Sequence, residues 1–344
     1  MMHAVDIGIF AHNEADRIAA MLAGLLGQSL LAAPNLRVRI LVLANGCTDA
    51  TVHVARAAWP SEGAAVDFAV ADLPQGGKSR TWNRFVHDLS RREAELLIFC
   101  DADIDLPQSD TLLRLVQGLA TRPDLMALNS RPVKDIIHAP QGLTLTDRLI
   151  AAGADGLDDW RSAICGQLYA MPAAAARQFH LPIGLPVEDG FLRAAILTTS
   201  LTEEVETMTR IDGAEGAFHV YASERRIPAL IRHQTRIIIG SAVNAACFAH
   251  LRALPAADRR AELARAATSD DWLSDILRKQ LPRRPFGYVP LHFVVKRLVR
   301  AGQSPRRILH PRRAMALLAG FAFDVTVYIR AQLKMARGLG PGFW

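Results

Sequence analysis

The sequence is poor in cysteine. Cys47, Cys100, Cys165 and Cys247 stand far apart in 344 residues and form no Cys-x-x-Cys pair. That argues against a disulfide framework or a thiolate metal site and fits a reducing compartment. No internal repeat, low-complexity tract or series of strong transmembrane helices stands out. Asp6, His12, Asn13 and Glu14 interrupt any apolar core at the N-terminus, so no signal peptide is expected. Acid is nearly absent from one end. From Arg283 onward there are twelve lysines and arginines and a single acid, Asp324. That tail is +11 in a chain whose total is +6, which leaves −5 on residues 1–282. A basic tail on an acidic body suggests that the tail meets an anionic partner. The rest is ordinary globular composition, half hydrophobic and 22% charged, long enough for one large or two smaller domains.

What is present is an alternation of short apolar runs and helical patterns. Asp6–Phe10, Val38–Leu43, Val66–Val70 and Leu96–Cys100 read as strands. Ile18, Met21, Leu22, Leu25 and Leu26 fall on one face of a helix opened by Asn13-Glu14, with Asn13 as its expected N-cap. Leu112, Leu113, Leu115, Val116 and Leu119 mark another helix, and Leu125–Leu128 a further strand. Such alternation implies a mostly parallel, Rossmann-like sheet flanked by helices. Residues 130–145 read as a loop, Thr146–Ala163 as a helix, Gln167–Met171 as a short strand, and about Ser223–Leu251 as a long helix. A division at 1–222 and 223–344 is expected, the second part helical and basic from 283.

The chemistry gathers where strands end. Leu96-Leu97-Ile98-Phe99-Cys100 stops abruptly in Asp101-Ala102-Asp103. Ligands of open α/β sheets bind at the carboxyl ends of strands. Two carboxylates placed there suit a hard divalent cation, although taken alone they could simply open a loop. Gln75-Gly76-Gly77-Lys78-Ser79 lets backbone N–H groups and one ammonium approach a phosphate, but it lacks Walker spacing. Leu181–Pro186 is a constrained loop that delivers Glu188-Asp189 at a helix start, where acids also satisfy the helix dipole. Arg232 and Arg236, four apart, share a helix face and could grip phosphate or acceptor oxygens. His219 is either an extra metal ligand or a structural histidine. In the tail, Phe286–Val295 and Ala314–Ile329 are apolar. The second is short for a membrane span, contains Asp324 and is flanked by cations, as in an interfacial helix; the other reading is a helix packed on the core.

The order Ala11-His12-Asn13-Glu14, Asn45-Gly46-Cys47-Thr48-Asp49, Gly77-Lys78, Asp101-Ala102-Asp103 and Glu188-Asp189 resembles glycosyltransferase family 2, with the glycosyltransferase-A fold, over about residues 4–240. The resemblance implies a nucleoside-diphosphate sugar donor, a divalent metal (Mn²⁺ or Mg²⁺) and transfer to an acceptor hydroxyl with inversion. It places Phe10, Ala11, Asn45, Gly77, Lys78 and Asp101 around the nucleotide sugar, and the same site is expected to include Asn13, Glu14, Ala102, Arg232 and Arg236. Asp103, with Asp101, would ligate the metal. Asp189 would be the acceptor's base, with Glu188 setting the local field.

Phe10 stands where the family has proline, and Ala44-Asn45-Gly46 where it has Asp-Asp-Gly. The Gln-x-x-Arg-Trp of processive members is absent, since Ile237 follows Arg236. A non-processive enzyme is expected. Its acceptor could be a lipid-linked or cell-envelope glycan precursor. Its expected place is the cytoplasm, peripheral on the membrane's cytoplasmic face through residues 283–344. A nucleotidyltransferase would carry a glycine-rich loop where Phe10-Ala11-His12-Asn13 lies, and an inactive sugar-nucleotide binder would have no need of Asp101, Asp103 and Asp189. Nucleic acid is not expected, because aromatic platforms are not interleaved with the tail's charges.

Overall fold

The computed structural model describes residues 3–60, 66–141, 159–203, 207–281, 287–302 and 311–337. Its strands are β1 (His3–Ala11), β2 (Leu36–Asn45), β3 (Asp67–Leu73), β4 (Leu96–Asp101), β5 (Ile104–Asp105), β6 (Ala127–Lys134), β7 (Leu168–Pro172) and β8 (Ile211–Tyr221). They form one sheet in the order β3-β2-β1-β4-β7-β6-β8-β5. The half β3-β2-β1-β4 is parallel throughout. β7 is antiparallel to both β4 and β6, β6 and β8 are parallel, and β5 closes the edge antiparallel to β8. The sheet is thus mixed, and its parallel half carries the expected βαβ alternation.

Side chains alternate across a strand, so each strand feeds two layers. On one face Val5, Ile7, Ile9 and Val42 pack against α1 (Ile18–Leu26), α2 (Thr51–Ala58) and α4 (Thr111–Ala120). On the other, Phe10, Leu43, Leu97 and Phe99 meet α3 (Lys78–Asn83) and α5 (Glu188–Leu197). Each fully buried leucine, isoleucine or phenylalanine contributes about 1.5–3 kcal/mol. One charge is buried among them. Asp6 sits within β1, and the Arg91 backbone N–H and Nε both donate to it at 2.7 Å.

The second layer runs on into the C-terminal helices: α6 (Ile227–Ala253), α7 (Arg259–Ala266), α8 (Trp272–Gln280), α9 (His292–Gly302) and α10 (Pro311–Ala336). Ile238, Val243, Trp272, Ile276, Val327 and Ala331 belong to the same apolar cluster as Phe99 and Phe191. These helices therefore buttress the face of the sheet that holds α3 and α5.

Several boundaries differ from the sequence reading. α1 begins at Ile18, because Asn13 takes φ +56° and its Oδ1 accepts the Thr48 N–H at 2.8 Å instead of capping a helix. β6 continues to Lys134, and a helical turn, Asp135–His138, follows within the stretch read as loop. β8 was not anticipated; Asp212, Gly213, Glu215 and Gly216 interrupt its alternation. α6 starts at Ile227 and α10 at Pro311. Most of the helix expected over 146–163 lies outside the described residues.

Candidate active site

Asp101 closes β4 two residues after Phe99, so its carboxylate projects toward α3 and α5. Lys78 is the first residue of α3, after Gly77 at φ +125°. Its Nζ lies 2.7 Å from both Asp101 carboxylate oxygens, 3.0 Å from the Gly166 carbonyl oxygen and 3.5 Å from Glu188 Oε1. Their side chains are only 11–15% exposed. Asp189 follows at the start of α5 and accepts the Gly190 N–H at 2.7 Å. Gly166 packs closely on the acid, since a Cβ there would lie 3.3 Å from both Asp189 Cβ and Oδ2, and the Asp189 side chain would have to give by a few tenths of an ångström. Lys78, Asp101, Gly166, Glu188 and Asp189, far apart in sequence, thus meet in one place.

The electrostatics follow from burial. Desolvation opposes the Lys78 charge, but Asp101, Glu188 and Asp189 outweigh it and hold the ammonium above its usual range. Desolvation pushes Asp101 up to about 7 against the pull of Lys78, with Asp103 and Glu188 adding to the rise. Desolvation and Glu188 raise Asp189 to about 6, opposed by the Gly190 N–H, Lys78 and Arg236. Lys78 faces three of these carboxylates, and Arg236 adds a second cation toward Asp189. The Lys78 ammonium stays charged, and the cost of burial falls on the acids. Below them Tyr169 stacks on Phe99 and its hydroxyl accepts the Trp82 Nε1–H at 2.8 Å. Burial and the three carboxylates keep that phenol protonated.

A second acidic group stands beside the first. Asp103 is half-buried and Glu14 is near enough to feel its charge. Desolvation, then Asp103, raise Glu14 to about 7, opposed by Arg17 and His12. Asp49 is already committed: it accepts N–H groups from Thr51 and Ala15 at 3.0 and 3.1 Å and so stitches the loop after β1 to α2. Asn13 ties the same two loops, and His12 Nδ1 donates to the Asn45 carbonyl at 2.6 Å.

The remaining expected residues divide. Asn45 is 3% exposed, and its Oδ1 lacks a hydrogen-bond partner among the described residues. It lies against the Gly76 backbone where a base could complete it. Ala11 and Ala102 are buried and offer only backbone. The Phe10 side chain belongs to the apolar cluster on the α3 side of the sheet. It packs on Phe85 and Phe99 within the core, with 8% exposure. Asp101 is engaged at both oxygens by Lys78, so Asp103 is the less committed carboxylate of the two among the described residues. Arg236 is half-buried and its charge reaches Asp189, whereas Arg232 is exposed one turn earlier on α6. His219 is structural, its ring nitrogens 3.0 Å from Ser130 Oγ and 3.2 Å from Gln167 Oε1, and burial pushes it down to about 3.

Sequence reasoning missed Gly166, Tyr169, Trp82 and Asn244. Asn244 of α6 donates to the Val187 carbonyl at 3.0 Å and holds the residue before the acid pair. None of the four sits in a motif, and only the fold brings them to the acids. A separate cavity of about 480 Å³, lined by Arg131, His138, Trp160 and Phe218 among others, shares no residue with the carboxylate cluster.

Residues 6–145 match the family described as Glycosyl transferase family 2. No curated protein matches the chain significantly. Among solved structures, a mannosyltransferase, PcManGT from Pyrobaculum calidifontis, in complex with GDP-Man and Mn²⁺, is similar over 98% of this chain and 88% of that one, at 16% identity and TM-score 0.56. Glucosyl-3-phosphoglycerate synthase from Mycobacterium tuberculosis, with Mn²⁺, UDP-glucose and phosphoglyceric acid, aligns over 72% and 79% at 17% identity and TM-score 0.47. TarS from S. aureus with UDP-GlcNAc aligns over 98% and 92% at 12% identity and TM-score 0.43. Residues 6–145 thus carry a match to glycosyl transferase family 2, and the chain as a whole shares the fold of the mannosyltransferase structure.

Proposed function

We propose that the chain moves a sugar from a nucleoside-diphosphate sugar to an acceptor hydroxyl, with inversion, and that Asp189 is the base. The observation that carries this reading is the Lys78-centred cluster, in which burial and Glu188 lift Asp189 to about 6. A hydroxyl is a poor nucleophile near neutral pH and must lose its proton during attack. A carboxylate that titrates near 6 is ionised at pH 7 and is a stronger base than an ordinary aspartate. Asp189 would take the proton while the acceptor attacks C1 from the side opposite the diphosphate. Glu188 raises the basicity of Asp189, and the bulk of Gly166 is missing where the base needs room. Lys78 holds Asp101 and Glu188 in place, and Asn45 completes its unpaired Oδ1 on the base.

The acids also suit a divalent metal. No group of three His, Cys, Asp or Glu side chains able to hold a metal occurs among the described residues, while Asp103 and Glu14 are under-neutralised oxygen donors. One or two protein carboxylates supplemented by waters and phosphate oxygens is the usual ligand pattern of Mg²⁺, and the hard oxygen donors suit Mn²⁺ equally. Asp103, with Asp101 or Glu14 beside it, would hold the ion. When bound, it supplies Lewis-acid stabilisation of the departing diphosphate. The basic C-terminal tail supports an acceptor carried on a lipid-linked or envelope glycan precursor at a cytoplasmic membrane face.

The test is a panel of labelled nucleotide sugars with Mn²⁺ or Mg²⁺. Transfer or slow hydrolysis of one donor is expected, with activity lost as pH falls through about 6, where Asp189 gains its proton. Absence of turnover and of saturable nucleotide binding across the panel would defeat the reading.

A further inference from the structure

The two faces of α10 are both apolar, and only one is used. Val327, Ala331 and Met335 are buried against the core, and Asp324 on the same side is 5% exposed and accepts from Arg297 Nε at 2.6 Å. Opposite them Met315, Leu318, Ile329 and Leu333 recur at helical spacing and are 71, 67, 41 and 44% exposed. On the neighbouring α9, Leu298 and Val299 are 40 and 57% exposed, and Leu291 just before it 63%. Most of the large exposed hydrophobic side chains of the described residues therefore lie on this one helix pair. Scattered exposed leucines are ordinary, but a row along one helix marks a surface that meets something apolar.

The charge around the row identifies what it meets. Arg330, Lys334 and Arg337 are exposed at the C-terminal end of the row. The sole acid of residues 283–344 is Asp324, which is buried and already paired. The exposed side chains of the two helices, among the described residues, therefore include apolar and cationic groups and no acid. A protein partner would need a matching apolar and acidic groove, whereas an anionic bilayer offers both chemistries over its whole area. A helix of 26 residues is about 39 Å long, enough to span a bilayer in length. Yet no described helix is apolar enough to cross a membrane. Arg330, Lys334 and the Asp324–Arg297 pair would have to be dragged through it. A helix of this kind lies in the interface, with apolar side chains among the acyl chains and cations among the headgroups.

We infer that the outer face of α9 and α10 docks the protein on an anionic lipid surface. This extends the acceptor reading above, but it rests on the surface of the helix pair and not on the chemistry of the carboxylate cluster. Its failure would leave the transferase reading intact.

The experiment is flotation of the full-length chain with vesicles of phosphatidylcholine alone or mixed with phosphatidylglycerol. Wild type should float with the mixed vesicles, bind pure phosphatidylcholine far more weakly, and release as salt rises. Each basic side chain near an anionic surface is worth about a fivefold change in binding. Arg330→Gln/Lys334→Gln/Arg337→Gln should therefore weaken binding roughly a hundredfold at low salt. Met315→Ser/Leu318→Ser/Ile329→Ser/Leu333→Ser should abolish it. Thermal melts of both variants should match wild type, because all seven side chains are exposed. Wild-type protein that stays off anionic vesicles would overturn the inference, as would undiminished binding by both variants. So would a concentration-dependent dimer that the serine variant dissociates in the absence of vesicle binding, since the face would then belong to a second copy of the chain.

Discussion

Asp189→Asn separates catalysis from stability and moves them in opposite directions. The native carboxyl titrates at about 6, against 3.8 for an unstrained aspartate. At about 1.36 kcal/mol per pH unit, that difference amounts to about 3 kcal/mol, caused first by burial and then by the Glu188 charge. Between those two pH values the native state binds a proton that the unfolded chain has released. Stability therefore falls as pH rises from about 4 to about 6, and the penalty is complete above that. Asparagine has the same shape, its Oδ1 can still accept the Gly190 N–H, and it carries no charge to desolvate. Lys78 loses one of its anions, which offsets part of the gain, so the variant should be about 1–2 kcal/mol more stable than wild type at pH 8. At pH 4 and below the two proteins should converge, because the wild-type carboxyl is then protonated as well. Sugar transfer should meanwhile fall by a factor of about 10²–10⁴, the usual worth of a positioned base, with donor affinity kept. Urea unfolding at pH 4 and pH 8 reads the first effect and labelled-donor transfer the second. Near-normal turnover, or a variant less stable than wild type at pH 8, would refute the reasoning.

Three other substitutions probe the parts of the site separately. Lys78→Met leaves Asp101 and Glu188 buried without their cation, at a cost of about 3 kcal/mol at pH 8; the loss should shrink toward pH 5 as Asp101 protonates, and a pH-independent loss in urea titrations would mean that packing, not charge, was removed. Gly166→Ala sets a methyl 3.3 Å from Asp189 and should lower kcat roughly a hundredfold by displacing the base, with donor affinity unchanged; wild-type kcat would show that the base has slack. Asp103→Ala should erase the rise in Tm that Mn²⁺ plus nucleoside diphosphate gives wild type, and an undiminished rise would move the metal to other ligands.

How far the sequence could be read depended on whether a residue's role was local. The parallel half of the sheet follows from apolar runs that end at motif loops, and Asp101 falls at the end of β4 for that reason. The antiparallel half was harder. β8 pairs with β6 across a register break near Asn129 and Arg131, and glycines and acids interrupt its alternation, so nothing local marks it as a strand. Asn13 misleads in the opposite way. It has the chemistry of an N-cap, but a tertiary hydrogen bond to Thr48 takes its side chain and pulls the backbone to positive φ. Phe10 ends a strand beside the site, yet alternation turns it into the core with Phe99. Glu188-Asp189 read locally as helix-start acids, and the sequence does not show that Lys78 and Gly166 arrive beside them from other parts of the chain.

That arrival also explains why the C-terminal helices matter to the chemistry. An acid pair at a helix start is stabilised by water and by the helix dipole when exposed. Here α6 covers it: Asn244 holds the Val187 carbonyl, and Ile238 and Val243 extend the apolar cluster beneath α5. Covering the pair removes water, and the loss of water is the largest cause of the raised Asp189. α10 in turn packs Val327 and Ala331 into the same cluster while its outer face stays apolar. The basicity of Asp189 therefore depends on helices that carry none of the motifs. Asn244→Ala, which frees the Val187 carbonyl without touching any acid, should admit water to the pair and return Asp189 toward 3.8, shifting the acidic limb of the transfer profile to lower pH and lowering kcat; an unmoved limb in the pH profile would show that the cover over the pair does not depend on this bond.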